Sequence, residues 1–275
     1  MDHARAIQTF EQHDVFGLLF PDQPSIDTLA AAEILVAMLV RMGKTAGSLA
    51  SVPAIPADTA HYFPSLQSLR PLAREFIISI NATNSPVRQL RYEQNEREIN
   101  VIVTPKSGPI SANFISFRDG AVRCDCAIPL GFPPGKLPEP QSLSLSENFF
   151  EKTPHLPFPA PNRANAGEIH ADNHPVHSIS EECYAMASRI PEFAISNAQA
   201  TILLAGIMDT TSLLRNVVHP DILATAAQLL RSGADYSSAM AIAIPQKPHS
   251  LIQLMGRAAA RSKIDRSRNI FWSLL

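Results

Sequence analysis

Apolar and polar positions recur with two different periods along this chain, and each change of period marks a change of element. Val15-Phe16-Gly17-Leu18-Leu19-Phe20 is a short apolar run closed by Pro21-Asp22-Gln23-Pro24, the pattern of a buried strand followed by a loop. From Ile26 to Met42 the apolar residues fall at helical spacing in an Ala- and Leu-rich stretch. Asp27 in its first turn suits the positive end of the helix dipole, and Gly43 closes it. Strand, loop and buried helix in that order predict the opening unit of a doubly wound, mainly parallel sheet flanked by helices.

The middle of the chain changes period. Glu75 to Ile80, Val87 to Tyr92 and Ile99 to Val103 read as strands, the last two separated by a polar turn at Glu93 to Glu98. They predict an inserted antiparallel meander or hairpin over about residues 74–120. Cys124 to Leu130 reads as a return to the central sheet. Residues 131–165 are rich in proline and predict a stiff loop, with one short helix near Leu143 to Phe149. The last third is helical: a capping-box start at Ser178-Ile179-Ser180-Glu181 running to Ala187, an almost wholly apolar helix from Asn197 to Ile207, then Pro220 to Leu230, Ser237 to Ile244 and Leu251 to Arg261.

Composition narrows the function classes. Among 275 residues, 45% are hydrophobic and 17% charged, an ordinary globular balance, and the formal net charge of −2 does not suggest a surface for gripping long nucleic acid. Three cysteines, Cys124, Cys126 and Cys183, are too few for a disulfide framework and fit a reducing compartment; the Cys-Asp-Cys spacing suits strand residues better than a zinc site. The N-terminus carries no basic segment leading into an apolar run, and the longest apolar stretch, Leu29 to Val40, is interrupted by Glu33. The expectation is a soluble, cytoplasmic protein with no membrane partner.

Candidate chemistry is sparse. His170, Asp172, His174 and His177 form a cluster that could hold a cation or lie in a solvated loop. Arg257, Arg261, Lys263, Arg266 and Arg268 could meet phosphate or simply form a basic helix end. No phosphate-binding Gly-rich loop and no Ser-His-Asp or Cys-His order is present.

The order of motifs is more informative than any one of them. Leu203-Leu204-Ala205-Gly206-Ile207-Met208-Asp209-Thr210-Thr211 leads to His219-Pro220 and then to Ala226-Ala227-Gln228-Leu229-Leu230-Arg231-Ser232-Gly233-Ala234-Asp235. Upstream stand Pro24-Ser25-Ile26-Asp27-Thr28-Leu29-Ala30-Ala31-Ala32 and, later, Gly167-Glu168-Ile169 followed by Ser178 to Tyr184. Over about residues 15–260 this series resembles the DHH superfamily of phosphoesterases, which includes nano-RNA hydrolases, pAp phosphatases, cyclic-dinucleotide hydrolases and inorganic pyrophosphatases. The resemblance implies a DHH-like α/β domain over residues 1–262. It also implies hydrolysis by two divalent cations, typically manganese, held by Asp and His.

Within that resemblance the ligand positions are depleted. Ser25 stands where the first metal-binding Asp belongs, and Asp27 matches the second. Gly131 follows the strand where a bridging Asp is expected, and the Asp-His-His triplet falls on Phe158-Pro159-Ala160. Thr210 holds the place of the last Asp, with Asp209 one residue early; His155 lies near the lost triplet. The resemblance implies Asp27 and Asp209 as remaining metal ligands, with Ser25, Thr28, Gly206, Thr210 and Thr211 lining a ligand cleft. It places the start of a second, substrate-capturing domain at residues 263–275, where Ile270-Phe271-Trp272-Ser273-Leu274-Leu275 reads as an apolar strand able to pair with its own sheet or a partner. The leading expectation is a catalytically inactive homologue without a cofactor. It would bind a nucleotide or phosphate at helix N-termini, or act as an interaction subunit, by a protein partner or homodimer through the tail. The alternative is a manganese enzyme with a rearranged site, using loop histidines, acting on short oligonucleotides, pAp or cyclic dinucleotides.

Overall fold

A computed structural model of the chain describes residues 3–55, 57–139, 145–160, 178–191, 193–215, 219–244, 249–265 and 270–273. It divides into two compact units: Met1–Pro24, Ala32–Pro56 and Phe63–Pro161 form one, and Ser25–Ala31, Ala57–Tyr62 and Asn162–Leu275 the other. The fold is mixed α/β, as the residue pattern predicts.

The first unit is built on a parallel sheet. Helix α1 (His3–Gln12) buries Ala6 and Phe10, and Phe10 meets Phe16 of β1 (Val15–Leu19) edge-on at 5.6 Å. Helix α2 (Ile26–Arg41) leads to β2 (Thr45–Ser48). Strand β1 pairs in parallel with β2 on one side and with β7 (Cys126–Pro129) on the other, giving the order β2-β1-β7. Both edges are prolonged by bridge-level pairing: Ser48 pairs in parallel with Pro71, and Ala127 and Leu130 with His155 and Phe158. The segment predicted as a proline-stiffened loop thus contributes a strand-like run along β7. The short helix expected near residues 143–149 is α4 (Phe149–Lys152), later than predicted.

Helix α1 and strand β2 are among the elements that escape the pattern. In α1 only two apolar side chains face the core, too few to stand out as a periodic stripe. In β2 the sequence Thr-Ala-Gly-Ser has no large apolar residue. There the neighbours demand smallness: a Cβ on Gly47 would lie 2.5 Å from Leu72, just as one on Gly17 of the adjoining β1 would lie 2.5 Å from Leu49.

The antiparallel insertion follows α3 (Pro64–Ser68) and takes the hairpin form of the two that the pattern allows. β3 (Arg74–Ile80) pairs with β6 (Ile115–Val122), and between them β4 (Val87–Gln94) pairs with β5 (Ile99–Pro105). Hydrogen bonds from Asn81 N to Phe114 O, Ser85 Oγ to Pro109 O and Lys106 N to Pro86 O join the two ladders. Residues 74–122 therefore form one two-stranded arm with an irregular middle.

The second unit is helical: the first turn of α2, α5 (Ile179–Ala187), α6 (Asn197–Thr210), α7 (Pro220–Arg231), α8 (Tyr236–Ala243) and α9 (His249–Ala260), then a hairpin of β8 (Ser262–Asp265) and β9 (Ile270–Ser273). Residues Ala200 to Met208 of α6 are all buried, so it is the unit's central helix, as its unbroken apolar run predicts. A reciprocal capping box opens it: Ser196 accepts from Gln199 N while Gln199 reaches back to Ser196 N.

Candidate functional site

Asp27 is fully buried at the start of α2, within the second unit. It does not serve its own helix. Ser25 does that, accepting from Thr28 N at 3.1 Å. The Asp27 carboxylate instead closes the N-terminus of α5: Oδ2 accepts from Ile179 N at 2.8 Å, and Oδ1 from Ser180 N at 2.9 Å and Ser178 Oγ at 2.6 Å. Ser180 Oγ also donates to the Asp27 carbonyl at 3.3 Å. Ser178 caps α5 by accepting from Glu181 N at 3.4 Å, so its hydroxyl serves two partners. The capping-box signal at Ser178 marked the helix start correctly, but the dipole complement comes from residue 27, distant in sequence.

Gly206 makes that closeness possible. A Cβ there would lie 2.1 Å from Ser180 Oγ and 3.1 Å from the Cα and Oδ1 of Asp27. The backbone of α6 thus passes directly against the Asp27 cap, and only a residue without a side chain fits.

Burial raises the Asp27 acid above the ordinary carboxylate range, while the bonds from Ser178, Ser180 and Ile179 pull it back down. Glu181, on the first turn of α5, is pushed up to about 7 by burial first and then by the neighbouring charges of Glu182, Asp221 and Asp27. Burial first, then Asp27 and Glu182, raise the thiol of Cys183 well above its usual value. In the first unit, burial pushes Cys124 up to about 12 and Cys126 to about 11, so both stay thiols, consistent with strand packing. Asp125 between them accepts from the backbone N–H of Asp14 and Val15 and ties the start of β1 to β7.

The end of α6 carries the other residues singled out in the sequence. Asp209 is half-buried in the last turn. Thr210 Oγ1 bonds back to Ile207 O at 3.0 Å, and buried Thr211 Oγ1 donates to Ile207 O at 2.6 Å and accepts from Leu214 N at 3.1 Å. Ser212, Leu213 and Leu214 follow at φ 51°, 62° and 62°, a left-handed turn built without glycine. Nothing in the residue pattern announced this turn.

In open α/β sheets ligands meet the carboxyl ends of the strands, at the point where strand order reverses. Here that is the β1–β7 boundary of the first unit. β1 ends in Leu19-Phe20, β7 in Pro129-Leu130-Gly131, and the strand-like run beside it in Phe158-Pro159-Ala160. Phe158 is 1% exposed and Leu130 fully buried; Asp22 lies beyond β1, exposed in the loop. These ends present no ligating side chain. Among the described residues no three His, Cys, Asp or Glu side chains gather closely enough to hold a metal. His170, Asp172, His174, His177, Arg266 and Arg268 lie outside the described residues. Among the described residues, the two-metal ligand set that the resemblance implies does not fit: Asp27 is spent on a helix cap, and the strand-end positions are apolar or glycine.

No family model matches this sequence, and no curated protein matches it. The chain resembles the crystal structure of an exopolyphosphatase-related protein from Bacteroides fragilis, with a TM-score of 0.59 and 14% identity over 98% of this chain and 67% of that one. At that identity the likeness concerns the fold.

Proposed function

We propose that the chain keeps a phosphoesterase-like fold without metal-dependent hydrolysis and serves as a binding or interaction subunit. The observation that carries this reading is the use of Asp27, whose two carboxylate oxygens are taken up by the N-terminus of α5. A ligand carboxylate must offer lone pairs to the cation, and here they already accept three hydrogen bonds in a fully buried place. The residues around it are fitted to that arrangement, Gly206 above all. Its partner from the resemblance, Asp209, closes no ligand cluster with it among the described residues.

The test is turnover of short oligoribonucleotides, pAp, cyclic dinucleotides and polyphosphate by the purified chain with manganese. The expected result is hydrolysis indistinguishable from buffer. Turnover lost in a folded Asp27→Asn variant would overturn the proposal.

The alternative is a manganese hydrolase with Asp27, Asp209 and the loop histidines as ligands. In its favour stands the likeness in fold to a protein described as exopolyphosphatase-related. Manganese electron paramagnetic resonance separates the two: a bound signal lost on Asp27→Asn supports the hydrolase, and a spectrum of free ion alone supports the non-hydrolytic reading.

A further inference from the structure

The arm over residues 74–122 is made for something other than the core. A two-stranded ribbon alone is marginal in water, and three or more strands are usually needed. This one nevertheless exposes Leu90, Tyr92, Ile99 and Val101, which its register places on one face as the cross-strand pairs Leu90–Val103, Tyr92–Val101 and Gln94–Ile99. Tyr92 is 76% exposed. Four large apolar side chains exposed side by side make a patch of the kind that on a monomer is often functional. The opposite face is more polar: Gln89, Arg91 and Glu93 of β4 stand there against Thr104, Ile102 and Asn100 of β5.

The open edge of the arm has a definite polarity. At the tip, Asn95 N donates to Glu98 O at 3.0 Å, which makes Asn95–Glu98 a hydrogen-bonded pair. Alternation along an antiparallel ladder then turns the N–H and C=O groups of Arg91 and Glu93 toward β5 and those of Leu90, Tyr92 and Gln94 toward the free edge. Among the described residues β4 has no ladder partner besides β5.

We propose that this edge takes β4 of a second copy of the chain, antiparallel and centred on Tyr92. The pattern of β4 is self-complementary in that register. Tyr92 meets Tyr92 of the second copy and Leu90 meets Gln94, both as hydrogen-bonded pairs made by the outward-facing groups. Arg91 then stands opposite Glu93 twice over, at the closer, non-hydrogen-bonded positions where side chains interact most. Within one chain these two charges are only 3.7 Å apart at exposed sites. Shifting the centre to Arg91 would oppose two arginines, so the charges select one register. The result is a four-stranded sheet across a two-fold axis, which removes one exposed edge from each copy. This inference rests on the arm alone and is independent of the proposed function.

Sedimentation velocity of the full chain over a range of concentrations tests it. Twice the chain mass is expected, with association weakened by about tenfold or more in Arg91→Glu and in Glu93→Arg. The double variant Arg91→Glu/Glu93→Arg, which restores both pairs with reversed sign, is expected to regain the dimer. Tyr92→Pro, which removes the central edge N–H, should be monomeric with the circular dichroism of the parent. A monomer at every concentration, or a dimer indifferent to the charge reversals, overturns the proposal. So does failure of the double variant to recover while its circular dichroism matches the parent.

Discussion

Helix α2 carries two buried acids, and comparing them shows what Asp27 is for. Glu33, two turns on, belongs to the first unit and is also fully buried. Its carboxylate accepts from Ser65 N at 3.0 Å and Leu66 N at 2.9 Å, at the start of α3. Helix α3 has Phe63 at its N-cap, which offers no side-chain acceptor, so Glu33 supplies the missing cap. Asp27 does the same for α5, although α5 already has Ser178 at its N-cap. Nothing in the resemblance to a phosphoesterase marks Glu33, yet the two acids behave alike. A buried carboxylate at a helix N-terminus answers a structural demand, that of orphaned N–H groups and the helix dipole. The difference lies in the packing: Asp27 has α6 pressed against it through Gly206.

The sharpest way to break the comparison is Asp27→Ala. It strands two backbone N–H groups and one hydroxyl in a dry place, and the expected loss is about 4 kcal/mol by urea denaturation. An unchanged midpoint would remove the structural role and with it the proposed function. Next comes Gly206→Ala, whose added Cβ displaces Ser180 Oγ; a loss of about 3 kcal/mol is expected from overpacking and the severed bond. Paired with Asp27→Ala, it should cost less than the sum, because both act on one junction. Glu33→Ala leaves two amides uncapped at a short helix, and about 2 kcal/mol is expected from the same measurement.

The smallest effect expected is one of pH. With its folded value pushed up to about 7, Glu181 holds its proton more firmly folded than unfolded. Its contribution is complete below about pH 4.5 and is lost as pH rises through about 7. The melting temperature should therefore fall across that window, and Glu181→Gln should flatten the fall.

Much of the fold was legible in the residues. The unbroken apolar runs of β1 and α6 and the Ala-rich α2 could only be buried elements, because exposing them costs about 25 cal/mol per Å². The strand pattern of the insertion was legible too, but not its pairing. Alternation locates a strand without naming its neighbour, so the pattern leaves a meander and a hairpin open alike, and the pairing decides for nested hairpin ladders. β6 escapes the pattern because Ile115-Ser116-Phe117-Arg118 continues into Asp119-Gly120, which reads as a turn.

The site divides in the same way. The motif order pointed to Asp27, Gly206 and the end of α6 as special positions, and the local chemistry of Ser178 located the start of α5. What those positions do was decided elsewhere. Asp27 and Ser178 are 151 residues apart, and no local spacing encodes which way a carboxylate turns when a distant helix end is packed onto it. The sequence by itself determined which side chains had to leave water and where elements begin, because those depend on composition and near neighbours. Only the tertiary structure decided that Asp27, which the resemblance marks as a metal ligand, caps a helix, because that depends on which orphaned donors come within hydrogen-bond reach.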